Sequence, residues 1–544
     1  MSDFKDLGSW ISSLAKHLAK DSIPEVEMHP SFIKHENFIY ELIDKIQAFP
    51  EEITEEIELL YSASLMAFDI CVAELKGGVD ALNKPAIKLL DKLMAYLAEA
   101  MHTKTHSLGF YLPLLNSFYE TKVELSSALQ QAYFAIADRE DLQDEKDVDY
   151  LAVMQEMLQE LADLSIFDIA EHIFSQSHAM QPDFYFGLIF DLCNIKEGHE
   201  VALMFLLHPN QEVRAIAILV LDEMIANLDL SPLALSRLKS ISHWYAEKYQ
   251  DYFARWLKIQ RKKGCFYAKA SSNLADIKWY ATEIDGSGSQ GLFIYIKQKR
   301  QYRLCGLLVK YAFGIKDVWI TSPLSKQELI KYRQEAFDHT TTLRLVTQEY
   351  TEQIVNHFLG VMHSQNALPS LYLLQIQEIL GIEFVPLCIF PTSLIQELGV
   401  QIVPFTQEVV KAGVRQSKNW ERDKPIVQSW FEESPAIDHL VNKCCSYVNG
   451  VKICAMDEAI NLVREEVFSQ NRAKWVFHFL WMALWAKANA GKKERFWKDC
   501  FFIACALNEG EPLENIPVIN DMVELCVLNS LETMKDRRSH LSLS

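Results

Sequence analysis

The sequence predicts a mainly α-helical protein of solenoid-like or bundled lobes, with one small antiparallel β-sheet of about four strands inserted mid-chain. Three observations carry that prediction. Helix formers with apolar positions three and four residues apart dominate on either side of the middle of the chain. Between Asp276 and Ile320 the pattern changes to alternation, as a half-buried strand requires. The same stretch holds the densest glycine cluster, Gly286-Ser287-Gly288-Ser289-Gln290-Gly291.

Residues 1–137 read as antiparallel helices. Phe4, Leu7, Trp10, Ile11, Leu14 and Leu18 mark one apolar face, suited to packing more than to a membrane surface. Glu51 to Lys76 repeats at a helical period through Ile57, Leu60, Met66 and Leu75, with Gly77-Gly78 as its expected stop. A further helix begins near Pro85, and another spans about Leu112 to Ala137. Residues 138–149 hold seven acidic residues against Arg139 and Lys146. The run lacks the glycine at the sixth position of a calcium loop, so a solvated linker is expected.

From 150 to 263, helices of about a dozen residues alternate with short turns bearing Pro or Asn. The segment His208-Pro209-Asn210 is followed by a helix with Val213, Arg214, Ala217 and Leu221 at the spacing Val-Arg-x-x-Ala-x-x-x-Leu. Over residues 206–224 the chain resembles a HEAT-type repeat. The resemblance covers one helix and its turn, and implies stacked helix pairs. No copies recur at a fixed spacing of about forty residues.

Residues 264–323 form the expected β module. The glycine cluster spells G-x-G-x-x-G, but a dinucleotide site needs a strand before it and a helix after it. Here alternation precedes it and Leu292 to Lys297, rich in aromatic and β-branched residues, follows, so a hairpin turning within Asp285–Gly291 is expected. The H-R-D and D-F-G strings of a kinase do not occur. Strands at Tyr302–Val309 and Ile315–Ile320 complete a meander, with Trp279, Phe293, Leu307 and Trp319 as candidate contacts to the helical body.

Residues 324–384 return to helix, 385–425 read as an irregular connector with four prolines, and 426–544 as a C-terminal helical region. Trp475 to Ala486 is about a dozen residues long where a membrane span needs roughly twenty, so it predicts a buried helix. Trp475, Met482, Trp485 and Trp497 are its expected aromatic core.

No catalytic set emerges: H-E-x-x-H, P-loop and G-x-S-x-G strings are missing. The cluster His439, Cys444, Cys445 and Cys454 lacks the paired knuckles of a zinc site, so no metal and no cofactor is expected and thiols are the expected state. Eleven scattered cysteines and no secretory signal pattern suggest the cytoplasm, with export to a host cell left open.

Charge is the feature that points to a surface. Between Tyr252 and Lys316 thirteen basic residues face three acidic ones, +10 in a chain of −20. Arg261, Lys262, Lys263, Lys297, Lys299, Arg300 and Arg303 are the candidate basic patch. The expected function is a non-enzymatic intracellular scaffold or adaptor. An acidic protein is the favoured partner, because the −30 on the remainder would repel a long polyanion. Nucleic acid at the same module is the alternative; a bacterial effector or an enzyme without recognisable motif is a third. The basic segment could also dock internally on the acidic helices.

Overall fold

The computed structural model describes residues 6–541 except 20–30, 81–82, 104–105, 142–149, 178–179, 181, 269–275, 337–342, 421–424, 433, 449–450 and 489–494. The acidic stretch 142–149 and Phe4 thus lie outside the described residues. The chain folds as two units, Met1–Asp229 and Leu230–Ser544. It is mostly helical with one antiparallel sheet inserted mid-chain. No helix among the described residues is long and apolar enough to cross a membrane.

Among the described residues the first unit holds eleven α-helices: α1 Leu7–Leu18, α2 Asn37–Gln47, α3 Glu55–Asp80, α4 Lys84–Thr103, α5 Leu108–Glu120, α6 Ser127–Asp141, α7 Tyr150–Glu160, α8 Ile166–Ser177, α9 Pro182–Asn194, α10 His199–Met204 and α11 Gln211–Met224. Leu7, Trp10, Ile11 and Leu14 of α1 are buried in one core with residues of α2 to α6. The expected stop at Gly77-Gly78 is corrected: α3 runs on to Asp80. A Cβ on Gly78 would lie 2.5 Å from the Ala86 Cβ, so this glycine permits the close approach of α3 and α4. The turn before α11 explains its Val-Arg pair. Val213, Ala217 and Leu221 are buried, while Arg214 Nη1 donates to the carbonyls of His208 and Pro209, each at 2.7 Å. Asn210 caps the helix by accepting from the Glu212 N–H at 2.8 Å.

The second unit opens with α12 Pro232–Trp244 and α13 Gln250–Lys262, then forms the sheet. Its strands are β1 Asp276–Ala281, β2 Ser289–Gln298, β3 Gln301–Lys310, β4 Gly314–Ile320 and β5 Arg344–Val346, in the order β4-β3-β2-β1-β5 and antiparallel throughout. The expected meander of about four strands therefore gains a fifth, three residues long, which covers the free edge of β1. The helices that follow are α14 Lys326–Ala336, α15 Gln348–Ser364, α16 Leu371–Leu380, α17 Pro391–Gly399, α18 Gln407–Arg415, α19 Pro435–Lys443, α20 Met456–Val463, α21 Arg472–Lys487, α22 Phe496–Asn508 and α23 Pro517–Leu541. A two-stranded hairpin, β6 Cys445–Val448 and β7 Val451–Cys454, lies between α19 and α20.

The glycine cluster does turn a hairpin, and no helix follows it: β2 runs straight through Gly291. Gly288 takes φ 76, the left-handed region a side chain avoids. Gly286 donates its N–H to the Ser429 carbonyl at 3.0 Å, and a Cβ there would sit 2.4 Å from the Phe431 carbonyl oxygen. That glycine serves backbone-to-backbone packing and leaves no room for a nucleotide.

The stretch 385–425, read as an irregular connector, contains α17 and α18, both packed on α22. Its prolines punctuate helices here: Pro391 occupies the first turn of α17, where no N–H is missed. Helix α21 is the buried helix expected, with every residue from Trp475 to Ala486 inaccessible. Of the four expected core aromatics and thioether, Trp475, Met482 and Trp485 are buried, whereas Trp497 is half-exposed between Lys487 and Lys498.

Candidate binding surface

Register decides which side chains share a face of the sheet. Trp279, Ile294 and Cys305 lie directly across from one another, as do Ala281, Leu292 and Leu307, and all six are buried. This inner face packs through β3 and β4 on α15. Gly314 (φ 81) marks the contact, since a Cβ there would meet Met362 Cγ at 2.3 Å.

The outer face carries the other row: Tyr280 opposite Phe293, Phe293 opposite Gly306, Gly306 opposite Trp319. The indole of Trp319 lies across Gly306, where a Cβ would fall 2.3 Å from Cε2, and its ring centre is 6.2 Å from that of Phe293. Of the four contacts expected with the helical body, Trp279 and Leu307 point inwards; Phe293 and Trp319 are half-buried on the opposite side. Helix α14 crosses part of this outer face. Tyr332 meets Trp319 at 6.0 Å, and the Arg333 guanidinium sits 5.0 Å from the Tyr295 ring centre. Tyr280 and Tyr295 meet edge to face at 4.9 Å. Burial raises the Tyr295 phenol above its ordinary value, and the charge of Arg333 partly offsets this.

The candidate cations separate into three places. Lys297, Lys299 and Arg300 are exposed together at the β2–β3 turn. Among the described residues none of these three forms an ion pair. Lys299 holds φ 57, a conformation the two-residue connection between Gln298 and Gln301 imposes. Arg303 does not join them. It pairs in register with Ile296, on the inner face, and its Nη1 donates to the Thr321 carbonyl at 3.2 Å. Arg261, Lys262 and Lys263 are exposed at the C-terminus of α13, where positive charge also complements the helix dipole. Arg261 lies 6.0 Å from the Tyr267 ring.

Lys278 and Arg333 belong to the outer face beside the turn, and the candidate set missed both. Lys278 is directly opposite Tyr295 on the neighbouring strand, a relation that only register reveals. Arg333 arrives from α14, thirty-eight residues beyond its ring partner, and nothing local in the sequence announces it.

Charge is divided sharply between the units: residues 1–229 sum to −25 and residues 230–544 to +5. The acidic excess that sequence reading assigned to the surroundings of the module lies in the first unit.

The cysteine cluster takes a different form from the thiols expected. Cys445 and Cys454 are direct cross-strand partners in the β6–β7 hairpin and form a disulfide. Cys444 beside them is a free thiol, and His439 is exposed. No group of three or more His, Cys, Asp or Glu arranged to hold a metal occurs among the described residues.

Residues 392–531 match the Y4lR C-terminal helical domain. Residues 181–264 match the Y4lR second domain. Strands β1 to β5 lie between these two segments and in neither. The uncharacterized protein y4lR of Sinorhizobium fredii is 23% identical over 286 residues, which are 49% of each chain. The chain thus spans about half the length of the curated relative it matches. No solved structure matches.

Proposed function

We propose that this chain is a non-enzymatic binding protein, an adaptor that holds an acidic macromolecule on the basic β2–β3 turn. The observation that carries the reading is that Lys297, Lys299 and Arg300 are exposed together and form no ion pair among the described residues. Internal docking would use such charges, as Arg237 is used by Glu378 at 2.7 Å and Lys474 by Glu432 at 2.7 Å. Three unused cations on a protruding turn offer a partner charge without the cost of breaking existing pairs. Nine free cysteines suit a reducing cytoplasm, with the Cys445–Cys454 pair as the exception.

The test is affinity capture followed by mass spectrometry, comparing the wild-type chain with a Lys297→Ser, Lys299→Ser, Arg300→Ser variant. A partner retained by the wild type and lost by the variant, at equal melting temperature, supports the reading. A variant that melts clearly lower and loses no partner returns these charges to an internal role.

A further inference from the structure

The outer face next to the basic turn combines two chemistries in one place. Two adjacent cross-strand rows run Lys278–Tyr295–Leu304 and Asp276–Lys297–Tyr302. Tyr280 lies against Tyr295, and Arg333 stands over the Tyr295 ring. Tyr280, Tyr295 and Tyr302 are half-buried; Lys278, Lys297 and Arg333 are exposed. In these two rows Asp276 is the acid that opposes them. Lys299 and Arg300 extend the positive charge past the end of the strands.

We propose that this face binds single-stranded nucleic acid, with the tyrosines receiving bases and the five cations Lys278, Lys297, Lys299, Arg300 and Arg333 taking phosphates. The inference rests on the binding role assigned above to the basic turn and names the class of its partner. A carboxylate-rich protein would satisfy the cations but offers nothing for the ring faces. A single strand offers both a charged backbone and a π-face at each nucleotide, so it uses rings and cations interleaved. Half-buried tyrosine rings among exposed cations favour unpaired bases, which a duplex keeps stacked inside. The unit that carries the face has net charge +5, so its own charge does not oppose a polyanion.

The experiment is fluorescence anisotropy of the full-length chain with fluorescein-labelled twenty-nucleotide oligo-dT and oligo-U, with poly-glutamate as a separate labelled probe. Both oligonucleotides are expected to bind at low salt, with log K falling against log salt at a slope of roughly −3.5 for five phosphate contacts. The Lys297→Ser, Lys299→Ser, Arg300→Ser variant is expected to weaken binding more than tenfold and to flatten the slope to roughly −1.4. Tyr280→Leu is expected to weaken binding about tenfold with the slope unchanged, since stacking releases no counterions. Lys278→Ser, an exposed change that leaves the rings in place, is expected to reduce the slope by roughly 0.7. No anisotropy change at 50 mM salt, or binding indifferent to both Tyr280→Leu and Lys278→Ser, overturns the proposal. Poly-glutamate bound through the turn while oligonucleotides are ignored overturns it as well and leaves the adaptor reading standing. Failure of every probe and of affinity capture removes both.

Discussion

The Tyr350 hydroxyl donates to Gln290 Oε1 at 2.8 Å, in a site where both side chains are buried. The same oxygen accepts from Trp481 Nε1 at 3.1 Å, and Gln290 Nε2 donates to the Thr282 carbonyl at 2.9 Å. One glutamine of β2 thereby fastens the sheet to α15 and to α21. Removing a single donor costs less than removing the hub, because the hub's loss strands several buried groups at once. Tyr350→Phe is expected to lower stability by about 1 kcal/mol and Gln290→Ala by about 3 kcal/mol or more, read from urea unfolding. Equal losses from the two variants would show that the glutamine is not the hub.

Adjacent glycines in α3 should respond with opposite signs. Gly77 is exposed and a Cβ there meets nothing within 4 Å, so Gly77→Ala should stabilise by about 0.5 to 1 kcal/mol through helix propensity alone. Gly78 faces Ala86 across the α3–α4 contact, and Gly78→Ala should cost about 1 to 3 kcal/mol by forcing the helices apart. Thermal melts of the two variants check this directly. Destabilisation by both would mean that α3 does stop at the pair, as the sequence pattern suggests.

The fold was legible where one rule acts alone. The change from helical period to alternation located the sheet, because period follows from backbone geometry and survives any tertiary context. Gly77-Gly78 misled because glycine has two uses, chain termination and close approach, and only the packing of Ala86 shows which applies. Strand β5 was invisible because three residues are too few to show alternation. The basic patch was half legible. Counting cations found the module, but Arg303 turns inwards because a two-residue turn fixes Ile296 opposite Arg303, and parity then sets the face. Recognising the Lys299-Arg300 turn would have separated these residues from sequence alone.

Acid should loosen the second unit. Burial pushes the His357 imidazole down to about 4, and its Nδ1 accepts the Ile389 N–H at 3.0 Å. Burial, with Lys474 adding to it, pushes His478 down to about 3, and neither of its ring nitrogens has a hydrogen-bond partner among the described residues. Both folded-state values lie below the unfolded value of about 6.5, so the unfolded chain takes up protons first. Stability is complete above that value and falls as pH drops through the window towards 4. Two histidines give a slope approaching about 2.7 kcal/mol per pH unit, or about 4 kcal/mol lost between pH 7 and 5. At Glu171 in α8 the sign differs: burial raises its carboxyl, so its contribution grows as pH falls. Hydrogen exchange on the intact chain, corrected for intrinsic rates, should show protection falling in α15 and α21 at pH 5 with α8 retained. Uniform loss across both units would remove the histidines as the cause.

Lys299 offers a way to separate backbone strain from charge at the turn. Its φ of 57 lies in the left-handed region, which costs an ordinary side chain roughly 1 to 2 kcal/mol. Lys299→Gly removes that strain, less the extra freedom glycine gains in the unfolded chain, so a net stabilisation of about 0.5 to 1 kcal/mol is expected. Lys299→Ser removes the same charge but keeps a Cβ, and should leave stability within about 0.5 kcal/mol of the wild type. Urea midpoints of the two variants decide between the sources. If serine stabilises as much as glycine, the gain comes from relieving repulsion among Lys297, Lys299 and Arg300, and the turn is not strained. If glycine alone stabilises, the chain keeps a lysine in an unfavourable conformation at the tip of its basic turn, a local cost consistent with a charge retained for binding.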